Sequence, residues 1–400
     1  MSPLKESIDI LLVINYCMTM KLHYIVPNGH YANGSSGLDS GVGKKIQYQK
    51  SSLEQQGVNI EICELSYSVT TPVKYIASYL ESHHNFKKIV DNLDNSDIVY
   101  CRSLYPHISN WLFCKKYPSI KFVYELQSVE RKELKSNISS AKSILSRIIA
   151  SVLYCSDVVF GKSIKKHAAG LVSVTSEITD YNIKLTNNQS RYLTLGNGID
   201  VTMNGIRDIT SLSDSEIHVL CVAQIAKWHG IDRFIRGLHE HNAHYENSTK
   251  IVLHIVGDGP ELPHLKDLTN NLGLNENVIF HGFKSGKELD EMFDLCHIAI
   301  GSLAGFRPGL TELSSLKSRE YCARGIPFLM ASKDADFPEN WEYTQMVPAN
   351  ETPIDMNTVV DFANRVMADP EHPQKMRRYA EEHIDWMAKM KVLKEFLESL

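Results

Sequence analysis

Two glutamates, Glu312 and Glu320, stand eight positions apart in the stretch GFRPGLTELSSLKSREYCARGIPFLM, residues 305–330. Glu312 falls in a loop beside Pro308 and Gly309, and a helix is expected to start near Ser314 or Ser315, either of which can cap it. A helix start presents first-turn N–H groups and the positive end of the helix dipole, so it attracts an anion. Lys317 and Arg319 add positive charge there. Glu320 lies more than a turn inside, where its carboxylate can accept hydroxyl hydrogens from a sugar. Spacing alone leaves a plainer reading open, with Glu320 a helix-surface acid and Glu312 a loop acid.

A second candidate is rich in glycine. NGSSGLDSGVGKK (33–45) sets four glycines ahead of Lys44 and Lys45, and glycine lets backbone N–H groups approach an anion closely. A Walker loop needs Gly-Lys followed by Ser or Thr; here Gly43-Lys44 meets Lys45, and Leu38 stands where the first glycine belongs. The dinucleotide fingerprint fits Gly41 and Gly43 and then meets Ile46. Neither pattern assigns the loop. Other signals read more simply. Asp334-Ala335-Asp336 follows a strand as a turn does, so no metal is expected there. HEHNAH (239–244) has no histidine pair at i, i+4 and reads as a solvated helix end. GSSG lacks the spacing of a hydrolase elbow.

The elements that must position these residues alternate along the chain. Strands are expected at 21–27, 58–65, 97–103, 120–126, 171–176 and 191–198, and then at 217–223, 250–257, 277–283, 297–302 and 326–332. Helices lie between them, including 43–56 (stopped by Gly57), 141–154, 230–242 and 286–295. Ile144, Ile148 and Val152 form a stripe on the 141–154 helix, expected to pack in a core, with contact to a membrane as the alternative. Near-continuous apolar strands joined by helices imply parallel sheets covered on both faces.

Four hundred residues, 43% hydrophobic and 22% charged, suit a soluble globular chain of two domains. A net charge of −5 argues against a general nucleic-acid binder. The eight cysteines contain no CxxC and read as reduced core thiols. The apolar run 10–18 is too short to span a bilayer, and residues 1–19 read as an extension or extra strand. The expected division is a first domain over 1–198, a second over 199–375, and an amphipathic helix over 376–400 packing back on them. Both domains are expected to be doubly wound and Rossmann-like, facing each other across a cleft.

With the pair E-x7-E in this setting, NGID (197–200), VAQIAKWHGIDRFI (222–235), IVGDGPEL (255–262) and VIFHGF (278–283) follow in an ordered set. Together they resemble the retaining glycosyltransferases of the GT-B fold, group 1 or family 4, over roughly residues 20 to 390. The resemblance implies a nucleotide-sugar donor bound by the domain 199–375, a glycan or lipid-linked saccharide acceptor on the side of the domain 1–198, and no cofactor or metal. It implies that Gly41, Val42 and Gly43 lie over the donor diphosphate. Glu312 would lie by the donor sugar, and Glu320 would hold the ribose. Gly282 and Phe283, after His281, would border the base. The family usually has Arg where Gln224 stands and Lys where His229 stands, so Lys227 and a protonated His229 are expected to contact phosphate, with Lys317 assisting. Gln127 fills a place where the family often carries a histidine. Glutamine cannot take a proton, so same-face attack assisted by the leaving phosphate is expected.

The expectation is a cytoplasmic glycosyltransferase, in part peripheral to the inner membrane face and without a nucleic-acid partner. Its alternatives are a nucleotide-sugar epimerase or hydrolase of the same fold and a non-catalytic binding protein.

Overall fold

The computed structural model describes residues 20–27, 41–66, 71–141, 143–209, 212, 216–244 and 249–400. Residues 1–19 and most of the glycine loop, 28–40, lie outside that set.

The expected strands form two separate sheets, and every pairing within them is parallel. The first contains β1 (Lys21–Pro27), β2 (Asn59–Leu65), β3 (Ile98–Cys101), β4 (Lys121–Leu126), β5 (Gly170–Ser173) and β6 (Arg191–Thr194), in the order β2-β1-β3-β4-β5-β6. The second contains β7 (Glu216–Val222), β8 (Lys250–Val256), β9 (Val278–Gly282), β10 (Ile298–Ile300), β11 (Phe328–Met330) and β12 (Thr344–Met346), in the order β12-β11-β10-β7-β8-β9. β12 has no counterpart among the sequence expectations. It is three residues long, polar and only partly buried, so it carries no apolar run to betray it.

The chain divides into two units: Met1–Leu195 with Lys389–Leu400, and Gly196–Ala388. In the first, the core gathers Phe86, Phe122, Tyr124 and Leu126. In the second, β7 sends Ile217, Val219 and Cys221 into one core cluster and Leu220 into another. A strand buried on both faces has no polar alternation, which explains runs such as KIVLHIV.

Three expectations about elements change. The segment 374–400 is not one helix: helix His372–Tyr379 passes through a π turn, the chain breaks at the extended Asp385, and a new helix runs Trp386–Glu398. There the Ile199 N–H donates to the Ile384 carbonyl and the Trp386 N–H to the Ile199 carbonyl, a bridge no helix periodicity reveals. Gly41 and Gly43 sit in the first turn of the helix Gly41–Gln55 rather than in a loop. The stripe on Ile144–Ser156 faces outward: Ile144, Ile148 and Val152 are 80, 54 and 46% exposed, while Ile149 and Leu153 are buried. Smaller corrections concern Cys155, which is exposed, and His241, which is buried instead of solvated.

Candidate functional site

In an open parallel sheet a ligand crevice forms where strand order reverses, beyond the carboxyl ends. In the second unit that point lies between β7 and β10. A cavity of about 640 Å³ opens there, lined among others by Gln224, Trp228, His229, Ser302, Ser315 and Lys317. A neighbouring one of about 510 Å³ shares Val222, Ala223 and Gln224 with it and continues past Gly257, Asp258 and Gly259 to Phe283 and Lys284. Gly257 and Gly259 let these loops nest. A Cβ on either would lie 2.0 or 2.2 Å from the carbonyl of Ala223 or Ile225, and Gly257 takes a φ of +125°.

Each lining segment is held from behind. The Val222 N–H donates to the buried Tyr321 hydroxyl (3.0 Å), which in turn donates to the Ile300 carbonyl (3.3 Å). The N–H groups of Leu303 and Ala304 donate to the carbonyls of His229 and Trp228 (3.0 and 3.1 Å). Arg307 clamps the turn by donating to the Lys227 carbonyl (2.7 Å) and to both Asp232 and Glu351. Ser315 caps the helix Leu316–Arg324 by accepting from the Ser318 N–H, and Ser314 instead accepts from the Asn197 N–H at 2.7 Å.

The electrostatics of the cavity centre on Lys317. Its ammonium is sealed from bulk water and has no hydrogen-bond partner. Burial pulls its pKa down to about 8, against a smaller upward pull from the Cys221 thiol. His229 is neutral: burial first, then the Lys317 charge, lower its pKa to about 3. The protonated His229 expected from the sequence is therefore replaced by a neutral ring. The Ala226 N–H donates to Nδ1 at 3.1 Å, so the ring proton sits on Nε2 as a donor. Lys317, the Nε2–H of His229 and the helix start at Leu316 together offer positive potential without a metal ion.

The structure thus brings together Gln224, His229 and Lys317, with Phe283, 78% exposed, in the adjoining lobe and Gly282 preceding it. It does not bring in the rest. Glu312 is 8% exposed and is bridged through its backbone to Lys333; the cavity lining passes from Leu310 to Leu313 without it. Glu320 accepts from Arg324 at 2.9 Å, and Arg324 also holds Asp290. Lys227 is exposed and lines neither lobe. His281, expected beside the base, faces His254 at 2.9 Å in a row that continues to His218.

Arg319 adds no charge to the helix start. Fully buried, it turns to Asp334, Asp336 and the Asn197 carbonyl, so the D-x-D carboxylates serve an arginine. Among the described residues no cluster of three or more metal-ligating side chains occurs. Arg319→Met strands two buried carboxylates, and a stability loss of about 3–5 kcal/mol is expected. A melting curve checks it, with an expected fall of about 6–20 °C.

In the first unit, Gln127 belongs to a buried charged network. Its amide donates to Glu125 Oε1 (2.7 Å) and accepts from Lys45 (3.3 Å). Glu125 also meets Lys45 at 2.8 Å, Arg102 at 3.4 Å and the Tyr24 hydroxyl at 2.7 Å. Lys45, two positions past Gly43, is thereby directed into the core. A smaller cavity, about 280 Å³, sits at this unit's own switch point between β1 and β3, lined by Ser103, Tyr105, His107, Glu130, Glu133 and Asn137 among others. Sequence reasoning missed this cavity, along with Ser302, Trp228, Arg307 and Tyr321. Arg307 directly follows the phenylalanine of the GFRPG stretch, and its charge inside an apolar region was the available signal.

Two parallel six-stranded α/β sheets of this order define the class: the fold is that of the GT-B glycosyltransferases, built from Rossmann-like units. Within it, residues 204–383 match the family described as Glycosyl transferases group 1. The sucrose-phosphate synthase from Thermosynechococcus elongatus superposes with a TM-score of 0.62 at 14% identity, covering 95% of this chain and 98% of that one. The lipopolysaccharide outer core galactosyltransferase WaaB, in its apo form, gives 0.59 at 14%, covering 95% and 100%. Anabaena HepE in complex with UDP-glucose gives 0.56 at 14%, again covering 95% and 100%. No curated protein is a significant match to the sequence.

Proposed function

We propose that the protein transfers a sugar from a nucleotide-sugar donor to a glycan or lipid-linked glycan, with retention and without a metal, as a member of family 4. The observation that carries this reading is the unpartnered, buried ammonium of Lys317, a residue that lines the cavity at the start of the helix Leu316–Arg324. The match of residues 204–383 and a fold relative described with UDP-glucose support it.

In the proposed step the bond from the anomeric carbon to the diphosphate oxygen breaks as the acceptor oxygen bonds to that carbon. The acceptor's proton passes to the leaving phosphate. Charge that grows on the diphosphate is met by Lys317, by the Nε2–H of His229 and by the first helical N–H groups. Phe283 offers a face for the base. Glu320 keeps acceptor sites beyond its Arg324 bond for the ribose hydroxyls. Glu312, between cavity-lining Leu310 and Leu313, orients the donor sugar. The first unit's cavity, with its hydroxyl and carboxylate lining, takes the acceptor. Seven free thiols among the described residues suit reducing cytoplasm.

A panel of UDP-, GDP- and other sugar nucleotides tests the donor. One base class should raise the melting midpoint by about 5–10 °C at roughly 100 times its Kd. Glu312→Ala should lower transfer at least ~100-fold while sparing that shift. Donor conversion without an acceptor, or no midpoint shift with any nucleotide, would overturn the reading.

A further inference from the structure

The outward stripe on the helix Ile144–Ser156 does not end with that helix. A π turn at Asp157–Gly161 and the helix Lys162–His167 carry the same rod onward, so the whole runs from Ile144 to His167. Along it Ile144, Ile148, Val152, Val158 and Val159 are all exposed. By length and composition this rod can cross a bilayer, but its opposite face is committed to the first unit. Ile149, Leu153 and Ile164 are buried. Asp157 receives Arg131 at 3.0 Å, and Lys165 donates to Glu130 at 2.7 Å. A helix so anchored lies along a surface and offers one side to it.

Two neighbouring helices widen that side. Tyr75 and Tyr79 of the helix Pro72–Asp91 pack in one cluster with Leu145, Ile149 and Leu153, while Ile76 and Leu80 of that helix stand exposed. The helix His107–Lys116 joins through the Ile108 N–H, which donates to the Tyr79 hydroxyl (2.9 Å), and through Trp111, which bonds Ser163 (3.2 Å) and packs on Phe160. Of the 21 large apolar side chains exposed among the described residues, ten lie on these three helical rods. Exposed apolar side chains are thus concentrated on one set of adjoining helices.

The charge along the rod 144–167 is one-sided. The only acid between residues 144 and 167 is the buried Asp157, whereas Arg147 and Lys162 are exposed and Lys166 is half-exposed. Lys115 adds its ammonium over the Trp111 ring at 4.4 Å. A chain of net charge −5 that sets cations beside the exposed aliphatic side chains of this rod has a surface complementary to an anionic, greasy plane.

We propose that this face docks the first unit on the surface of a bilayer containing anionic lipid, with the rod 144–167 lying in the headgroup plane. Aliphatic side chains enter the acyl boundary, and Arg147, Lys162 and Lys166 meet lipid phosphates. The proposal rests on this surface alone and stands or falls apart from the donor cavity.

The test is flotation of the full chain with vesicles of phosphatidylcholine alone or with about one-third phosphatidylglycerol. Binding should be at least ~10-fold tighter on the anionic vesicles and weaken with salt. Ile148→Asp with Val152→Asp should abolish flotation, and Lys162→Glu with Lys166→Glu should remove the preference for anionic lipid. Because these side chains are exposed or, for Lys166, half-exposed, the variants should keep the wild-type melting midpoint and nucleotide-induced shift. No flotation on either vesicle would overturn the proposal. So would flotation indifferent to Ile148→Asp with Val152→Asp, or a dimer in sedimentation that this double variant dissolves, which would assign the face to a second copy.

Discussion

Lys317→Met is expected to stabilise the protein and to silence it. The ammonium is buried without a partner, and burial, against a smaller upward pull from Cys221, draws its pKa to about 8, below the unfolded value near 10.4. Below pH 8 the folded state therefore carries a charge that the unfolded state holds more easily. Removing it is worth about 2–3 kcal/mol at neutral pH. For a unit of this size the melting midpoint should rise by about 4–12 °C. The same charge is the one proposed to meet the leaving diphosphate, and its loss should lower kcat/KM by about 100–1000-fold. In the wild type kcat/KM should fall as pH rises through about 8, since that ratio reports the free enzyme's ionisation. Wild-type stability should meanwhile increase over the same range, as the folded lysine sheds its proton before the unfolded one does. A methionine variant that melts earlier and still transfers sugar would contradict both halves.

Glu125→Gln should produce the largest loss of stability in the first unit. Burial pushes this carboxyl's pKa up, but Lys45 and Arg102 outweigh burial and hold it at about 2. Neutralising it leaves two buried cations without their counter-charge, an expected cost of about 3–5 kcal/mol. The pH dependence follows from the depressed pKa. Stability from Glu125 is complete above its unfolded value near 4.3 and is lost as pH falls from there through about 2. Chemical denaturation between pH 6 and 3 should show the wild type losing more stability than the glutamine variant, so that the two curves converge in acid.

Both residues show where sequence reading reaches its limit. Strands such as Lys21–Pro27 were legible because four of five consecutive buried side chains, all but His23, are hydrophobic. The helix Leu316–Arg324 and its serine cap were legible from local chemistry. Lys317 was placed near the anion from that local chemistry too, but its isolation depends on Cys221 and His229, nearly a hundred residues upstream. Arg319 looked equivalent to it on the sequence. Two positions further along a helix is about 200° of rotation, which sends one cation to the cavity and the other to Asp334 and Asp336. The tautomer of His229 is likewise fixed by a backbone N–H three residues away in a 3₁₀ turn, a geometry with no sequence signature. The stripe of Ile144, Ile148 and Val152 admits both a core and a membrane reading on the sequence, because periodicity reports an amphipathic face without saying what covers it.

The return of Lys389–Leu400 to the first unit has a consequence for biogenesis. Phe396 lies against Gly170, Lys394 reaches the Gln56 carbonyl, and Arg191 bonds the Ser399 carbonyl. A nascent chain that has left the ribosome as far as Leu195 holds all six strands of its sheet but lacks this closing segment. It must wait, with that patch bare, until the whole of Gly196–Ala388 has been translated. The portion made first is thus the last to be finished.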